Sequence, residues 1–364
     1  MQSARWPQGI RALIAREWQQ LRSFQASDRP WQMPLTAALA TGLPLLIAAW
    51  TGQLGFGLLS SLGGMAFLYL PATPMHHRMV TIMACSFGLI ASFTLGLLSQ
   101  LLPLAAAPVL TVITILVTMI CRFYRLPPPG SYFFVMVAAL AAYTPVPVLQ
   151  IPLWVGLLAM GSLLACVLAF GYSLHVLSQR TPRPIQPLPA ADFDFVVVDA
   201  LIIGLTVGLS LLLAELLQLQ RPYWVPVSCL AVLQGASLRA VWNRQLQRLL
   251  GTALGLLLTW AVLSLPLNAW SVALLVMLLS GVVETLVVRH YGMAAVFITP
   301  MAILLAEAAH LGQGSASSLI EARFYDTLAG GLVGLLGGLS LHRPPLRQGI
   351  SRLVRRLLPG NRSA

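Results

Sequence analysis

The residues able to do chemistry in this chain are few and unevenly placed. Arg239, Arg244 and Arg248 crowd one short loop, with Arg244 and Arg248 one helical turn apart. Such a cluster can raise the local concentration of an anion, or it can anchor the topology of a membrane protein. Tyr223 and Trp224 offer apolar ring faces just upstream, and Ser228 and Gln234 offer hydrogen bonds within the same segment. Ser61 stands 167 residues before Ser228 in an equivalent apolar setting. Between Asp28 and Asp192 there is no acidic residue, whereas the later part holds Asp199, Glu215, Glu284, Glu307, Glu321 and Asp326. An ionisable residue inside an apolar span is a functional hypothesis by default. Asp199 and Glu307 are the best proton-carrier candidates; Glu215, Glu284 and Glu321 fall near span ends, and Arg323 and Asp326 read as a structural i,i+3 pair.

Other chemistries find little support. No nucleophile–base motif, phosphate loop or lysine for a Schiff base is present, so neither an enzyme nor, by this chain alone, an ATP-driven pump is expected. Cys85, Cys121, Cys166 and Cys229 lie far apart inside apolar runs and read as packing residues. His76 and His77 are adjacent and point in different directions on a helix, so no metal site and no cofactor are expected.

The surrounding composition is that of a membrane. Of 364 residues, 58% are hydrophobic and 9% charged, and the mean hydropathy is +0.82. Soluble domains carry about 25% charged residues. The net charge of +12 comes from 22 basic residues, all arginine. They concentrate in short loops and at both ends, which argues for membrane topology rather than a nucleic-acid partner. Twelve apolar segments are legible: 34–51, 54–70, 80–101, 104–121, 131–145 and 151–174, then 194–217, 223–238, 246–265, 267–287, 293–310 and 324–341. Segments 2, 5 and 8 are short against the roughly 20 residues of a typical span. With the N-terminus cytoplasmic, only Arg221 and Arg323 fall on the outer side, which leaves 20 of the 22 arginines inside.

The apolar pattern runs twice, offset by 167 residues: Cys121-Arg122-Phe123-Tyr124 recurs as Val288-Arg289-His290-Tyr291. Six spans per half is an even number, so the expected fold is all-α, two parallel six-helix repeats about an axis along the membrane normal. Interfacial amphipathic helices are expected at both ends: around Ile10, Leu13, Ile14, Leu21 and Phe24, and around Ile350, Leu353, Val354 and Leu357. The organisation is therefore 1–30 interfacial helix, 31–178 first repeat, 179–193 Pro-rich linker, 194–342 second repeat and 343–364 basic tail. No cleavable leader is read in the first thirty residues. Short, Gly/Pro-interrupted segments at matched positions mark a pathway; segments 2 and 8 fit, and segments 5 and 11 are a second pair, broken at Thr144-Pro145 and Thr299-Pro300. Close helix packing accounts for the same small residues.

Arg221-Pro222-Tyr223-Trp224-Val225-Pro226, Val232-Leu233-Gln234, Arg248 through Gly255 and Arg323 through Gly331 together resemble the fusaric acid resistance family of bacterial aromatic acid exporters. Plant malate channels are distant relatives of that family. The resemblance covers about 220–341 and implies a proton-driven inner-membrane exporter of aromatic carboxylates or similar small amphipathic anions. It also implies a homodimer and a periplasmic adaptor as partners, beside the lipid bilayer. Many relatives carry a soluble cytoplasmic domain between the halves, for which the linker leaves no room. In this reading the pathway is lined by Ser61, Tyr223, Trp224, Ser228, Gln234, Arg244 and Arg248. Passive anion conduction and a non-transporting envelope scaffold are the alternatives.

Overall fold

A computed structural model describes residues 24–307 except 103, 189 and 191, and residues 316–357, with backbone only at Glu307, Ala316 and Leu357. The interfacial helix expected before residue 24 and the carboxylate of Glu307 lie outside the described residues.

Every regular element among the described residues is helical. The first half comprises α1 (Gln32–Thr51), α2 (Leu54–Gly64, continued as a 3-10 turn Met65–Tyr69), α3 (Met75–Ser99), α4 (Ala106–Phe123), α5 (Tyr132–Tyr143) and α6 (Ile151–Leu177). The second comprises α7 (Asp199–Leu216, led in by a π turn Asp194–Val198), α8 (Trp224–Leu233), α9 (Leu238–Leu263), α10 (Ala269–Val287), α11 (Tyr291–Glu307) and α12 (Ala316–His342). A final helix, α13 (Pro344–Leu357), falls where the basic C-terminal amphipathic helix is expected. Residues 181–188 of the connector carry no regular structure.

Each apolar segment contains a helix, but among the described residues only eight are long and apolar enough to cross a membrane: α1, α3, α4, α6, α7 with its π turn, α9, α10 and α12. The count of twelve spans is not met by length, because α2, α5, α8 and α11 are shorter. Their shortness has a physical basis. All ten residues of α8 are buried, so this helix is solvated by protein and need not match the hydrocarbon thickness. Helix α5 is tied to its neighbours at both ends. At the start of α5, the Gly130 carbonyl accepts from Tyr69 Oη at 2.8 Å; at its far end, the Thr144 carbonyl accepts from Gln100 Nε2 at 2.8 Å, beyond the end of α3.

Helix packing follows the same pattern in both halves. In the first, α1 packs on α2, α2 on α6, α3 on α5 and α6, and α4 on α5. In the second, α7 packs on α8, α8 on α12, α9 on α11 and α12, and α10 on α11. The halves join through two reciprocal pairs, α1 with α10 and α4 with α7, and through α5 with α8. Each reciprocal pair is closed by an ion pair with the charges exchanged. Arg29, just before α1, meets Glu284 of α10 at 2.5 Å, while Arg122 of α4 meets Asp199 at the start of α7 at 2.7 Å.

The short helices approach their neighbours backbone to backbone. A Cβ on Gly161 of α6 would lie 1.7 Å from the Ser60 carbonyl oxygen, and one on Gly330 of α12 would lie 2.3 Å from that of Val225. Gly156 of α6 faces open space, with nothing within 4 Å of such an atom. Replacing Gly330 by Leu is therefore expected to destabilise the protein in detergent by about 1–3 kcal/mol through overpacking, against little change for Gly156→Leu. Thermal unfolding of the two variants side by side checks this; equal losses would show that the crossing is not tight.

Candidate functional site

Helix α8 is the scaffold of the site. Tyr223 caps its start, Pro226 sits in its first turn, where a missing N–H costs no helical bond, and Gln234 ends it. Ser237 then caps α9, accepting from the Ala240 backbone N–H at 3.2 Å. On α9, Gln245, Arg248, Thr252, Gly255 and Thr259 recur at three- and four-residue steps and form the buried face. The periodicity that places Leu elsewhere here turns a guanidinium into the bundle.

Arg248 is 3% exposed. Its Nη2 donates to Ser228 Oγ at 3.0 Å and its Nη1 to Tyr291 Oη at 3.1 Å. Arg244 stands over the Tyr291 ring, 5.3 Å from its centroid. Tyr132, at the start of α5, adjoins the Arg248 guanidinium from the first half. Arg323 of α12 is also buried, and its guanidinium lies 3.6 Å from the centroid of the Trp224 ring. The two arginines are close enough to repel each other. Several polar atoms here are buried without a hydrogen-bond partner among the described residues: Arg248 Nε, Arg323 Nε and Nη1, and both carboxylate oxygens of Asp326. The expected Arg323–Asp326 pair is thus not hydrogen-bonded among the described residues; the guanidinium faces the Trp224 ring. A desolvated cation on an aromatic face gains about 2 kcal/mol, but unmet buried N–H donors still cost about 1–3 kcal/mol each. The arrangement offers donors to an anion.

The structure brings Trp224, Ser228, Arg244 and Arg248 together, with the Tyr223 ring 5.2 Å from that of Trp224. It places the other predicted residues elsewhere. Ser61 is fully buried on α2 with Oγ unpartnered among the described residues, and its helix packs on α1 and α6. Gln234 donates to the Pro129 carbonyl at 2.8 Å and lines a chamber of about 660 Å³ at the arginine-rich end of the bundle. Asp199 lines the same chamber and accepts from two arginines, Arg122 Nη1 at 2.7 Å and Arg347 Nε at 2.7 Å. That bond raises the pKa of Arg347, which sits on α13 outside the spans.

Arg323, Asp326, Tyr132, Arg122 and Arg347 are not among the site residues expected from sequence. For Arg323 and Asp326 a signal existed, two opposite charges in an otherwise apolar last span, but the i,i+3 spacing pointed to mutual pairing. Arg122 and Arg347 meet Asp199 across 77 and 148 residues, which no local pattern reports. Among the described residues no group of three or more His, Cys, Asp or Glu could hold a metal ion.

Residues 209–337 match the family described as fusaric acid resistance protein-like. A stretch of 162 residues is 33% identical to an uncharacterized membrane protein of Bacillus subtilis (strain 168), YvaC, covering 43% of this chain and 26% of that protein. The chain thus spans about a quarter of the length of this relative. No solved structure matches.

The Arg323–Trp224 contact can be weighed directly. In a double-mutant cycle of Arg323→Met and Trp224→Leu, thermal unfolding in detergent is expected to give a coupling energy of about 2 kcal/mol. Additive losses would show that the ring does not stabilise the cation.

Proposed function

We propose that this chain, a member of the fusaric acid resistance protein-like family through its second half, exports aromatic carboxylates or similar small amphipathic anions across the bacterial inner membrane. The coarser statement, a multi-pass membrane protein with a transport role, follows from family and composition. The observation that carries the finer one is the pair of buried guanidiniums, Arg248 and Arg323, with unpartnered donors beside the Trp224 ring. Two cations meet a carboxylate's charge, and the Trp224 and Tyr223 rings meet an apolar body. The cluster draws on both halves, since Tyr132 comes from α5 and Ser228 from α8, as expected of a pathway between repeats.

In this reading the matching packing of the two halves is a parallel duplication, the short helices complete twelve crossings, and the arginine-rich end is cytoplasmic. Asp199 accepts hydrogen bonds from two arginines and serves as their counter-ion. The Asp326 carboxylate makes no hydrogen bond among the described residues, and we assign proton exchange to it. A membrane potential negative inside drives anion export by itself, about 2.3 kcal/mol per charge per 100 mV, so proton coupling must be tested separately from flux.

Counterflow of radiolabelled benzoate in proteoliposomes, with and without a pH gradient, is the test. Saturable flux is expected, reduced at least about tenfold in Arg248→Gln and Arg323→Gln and losing its response to the pH gradient in Asp326→Asn. No flux of any aromatic acid under either condition would sink the exporter reading. Voltage-driven current indifferent to pH in both wild type and Asp326→Asn would instead establish passive conduction.

A further inference from the structure

At the arginine-rich end, the chamber of about 660 Å³ lies well within the roughly 300–1,000 Å³ of sites that enclose a small ligand. Its polar wall has a surplus of cations. Arg122, Arg125 and Arg347 line it, against Asp194 and Asp199. Asp194 is engaged elsewhere, accepting from Arg355 Nη2 at 2.8 Å and from Ser351 Oγ at 2.8 Å. Of the two carboxylates Asp199 is the one hydrogen-bonded to the chamber's guanidiniums, and it bonds Arg122 and Arg347.

Arg125 carries the surplus. Its guanidinium stands 4.4 Å from the Phe195 ring centroid and makes no ion pair among the described residues. Its backbone is left-handed, with φ of 51°, a conformation costing a non-glycine residue about 1–2 kcal/mol. Strain of this kind persists where the surroundings enforce it and clusters at ligand sites. The lining is also apolar: Ile203, Leu230, Leu233 and Leu341 face the same space. A cationic rim over an apolar wall selects an anion with a hydrophobic body.

We propose that this chamber is a second, separate binding site for a small aromatic carboxylate. Its carboxylate bonds Arg125 and Arg347 beside Asp199, and its ring rests on Leu230 and Leu233 of α8. Choosing an aromatic acid rests on the transport reading above; the anionic group and the apolar body rest on the chamber alone. Because Arg347 belongs to α13 and is shared with Asp199, occupation also weakens the hold of α13 on α7.

Isothermal titration of benzoate into the purified full-length protein in non-ionic detergent tests this by binding rather than flux. Two saturable components are expected, one of them weakened at least about tenfold by Arg125→Gln or Arg347→Gln. Arg347→Lys keeps the ion pair with Asp199 and separates a lost ligand contact from misfolding: it is expected to retain the wild-type melting temperature and part of the affinity. Arg248→Gln, which disables the buried cluster, is expected to leave this binding in place. Binding lost in Arg248→Gln but kept in Arg125→Gln and Arg347→Gln would overturn the chamber and leave the proposed carrier standing. Absence of benzoate binding also overturns it. So does binding of phosphatidylglycerol that benzoate cannot compete, which would give the chamber to a lipid headgroup.

Discussion

A guanidinium taken into an apolar bundle must find oxygen, a ring face or a counter-charge, and that requirement organises this protein. The cost of burying an unpaired ion is several kcal/mol even after relaxation, far more than any one apolar contact returns. Each buried or half-buried arginine therefore sits where elements meet. Arg78 of α3 donates Nε to the Thr73 carbonyl at 2.6 Å. Arg122 bridges α4 to α7 through Asp199. Arg248 links α9 to α8 through Ser228 and to α11 through Tyr291. Arg323 settles on Trp224 across the α8–α12 contact. Where these needs are fully met the result is a joint; where N–H donors are left over, as on Arg248 and Arg323, it is a candidate site.

The same requirement explains how two halves with matching packing come to differ. Their reciprocal contacts, α1 with α10 and α4 with α7, each close on one ion pair, yet the charges are exchanged: Arg29 with Glu284, Asp199 with Arg122. An ion pair is indifferent to which partner carries which sign, so duplication of the fold does not enforce duplication of the residues. At the offset of 167 residues, Arg248 corresponds to Thr81 and Arg323 to Gly156. The first half thus keeps the helices and lacks the cations, and contributes Tyr132 to a cluster that the second half charges.

How much of this was legible depended on how local the interaction is. Apolar periodicity located a helix in each of the twelve segments, because chain-length apolarity is written residue by residue. The grouping of Trp224, Ser228 and Arg248 was readable from one short segment and the helix that follows it. The Asp199 joint was not, since its arginines come from α4 and α13 and meet only when α7 packs between them. Arg323 was misread for a related reason. A helical i,i+3 spacing makes a pair available, but burial beside Trp224 offers the guanidinium a ring, and the Asp326 oxygens make no hydrogen bond among the described residues. Shortness in α8 was visible in sequence; that every one of its residues is buried is a property of the neighbours around it.

That burial makes α8 the connection between the two polar regions. Its first residue, Trp224, lies under Arg323, and Ser228 one turn on accepts from Arg248. Its last turn presents Leu230 and Leu233 to the chamber, and Gln234 just beyond bonds the loop before α5. At 1.5 Å of rise per residue, the chamber-lining Leu230 and Leu233 stand about 3–8 Å along this one rod from Ser228, where Arg248 is bonded, and about 9–14 Å from Trp224, where Arg323 rests. Close backbone contact on the α12 side, set by Gly330, leaves α8 no room to tilt alone. A displacement that opened one region would have to carry α8 and α12 together. Because α12 runs directly into α13, the Arg347–Asp199 joint at the mouth is mechanically continuous with the Arg323–Trp224 contact inside.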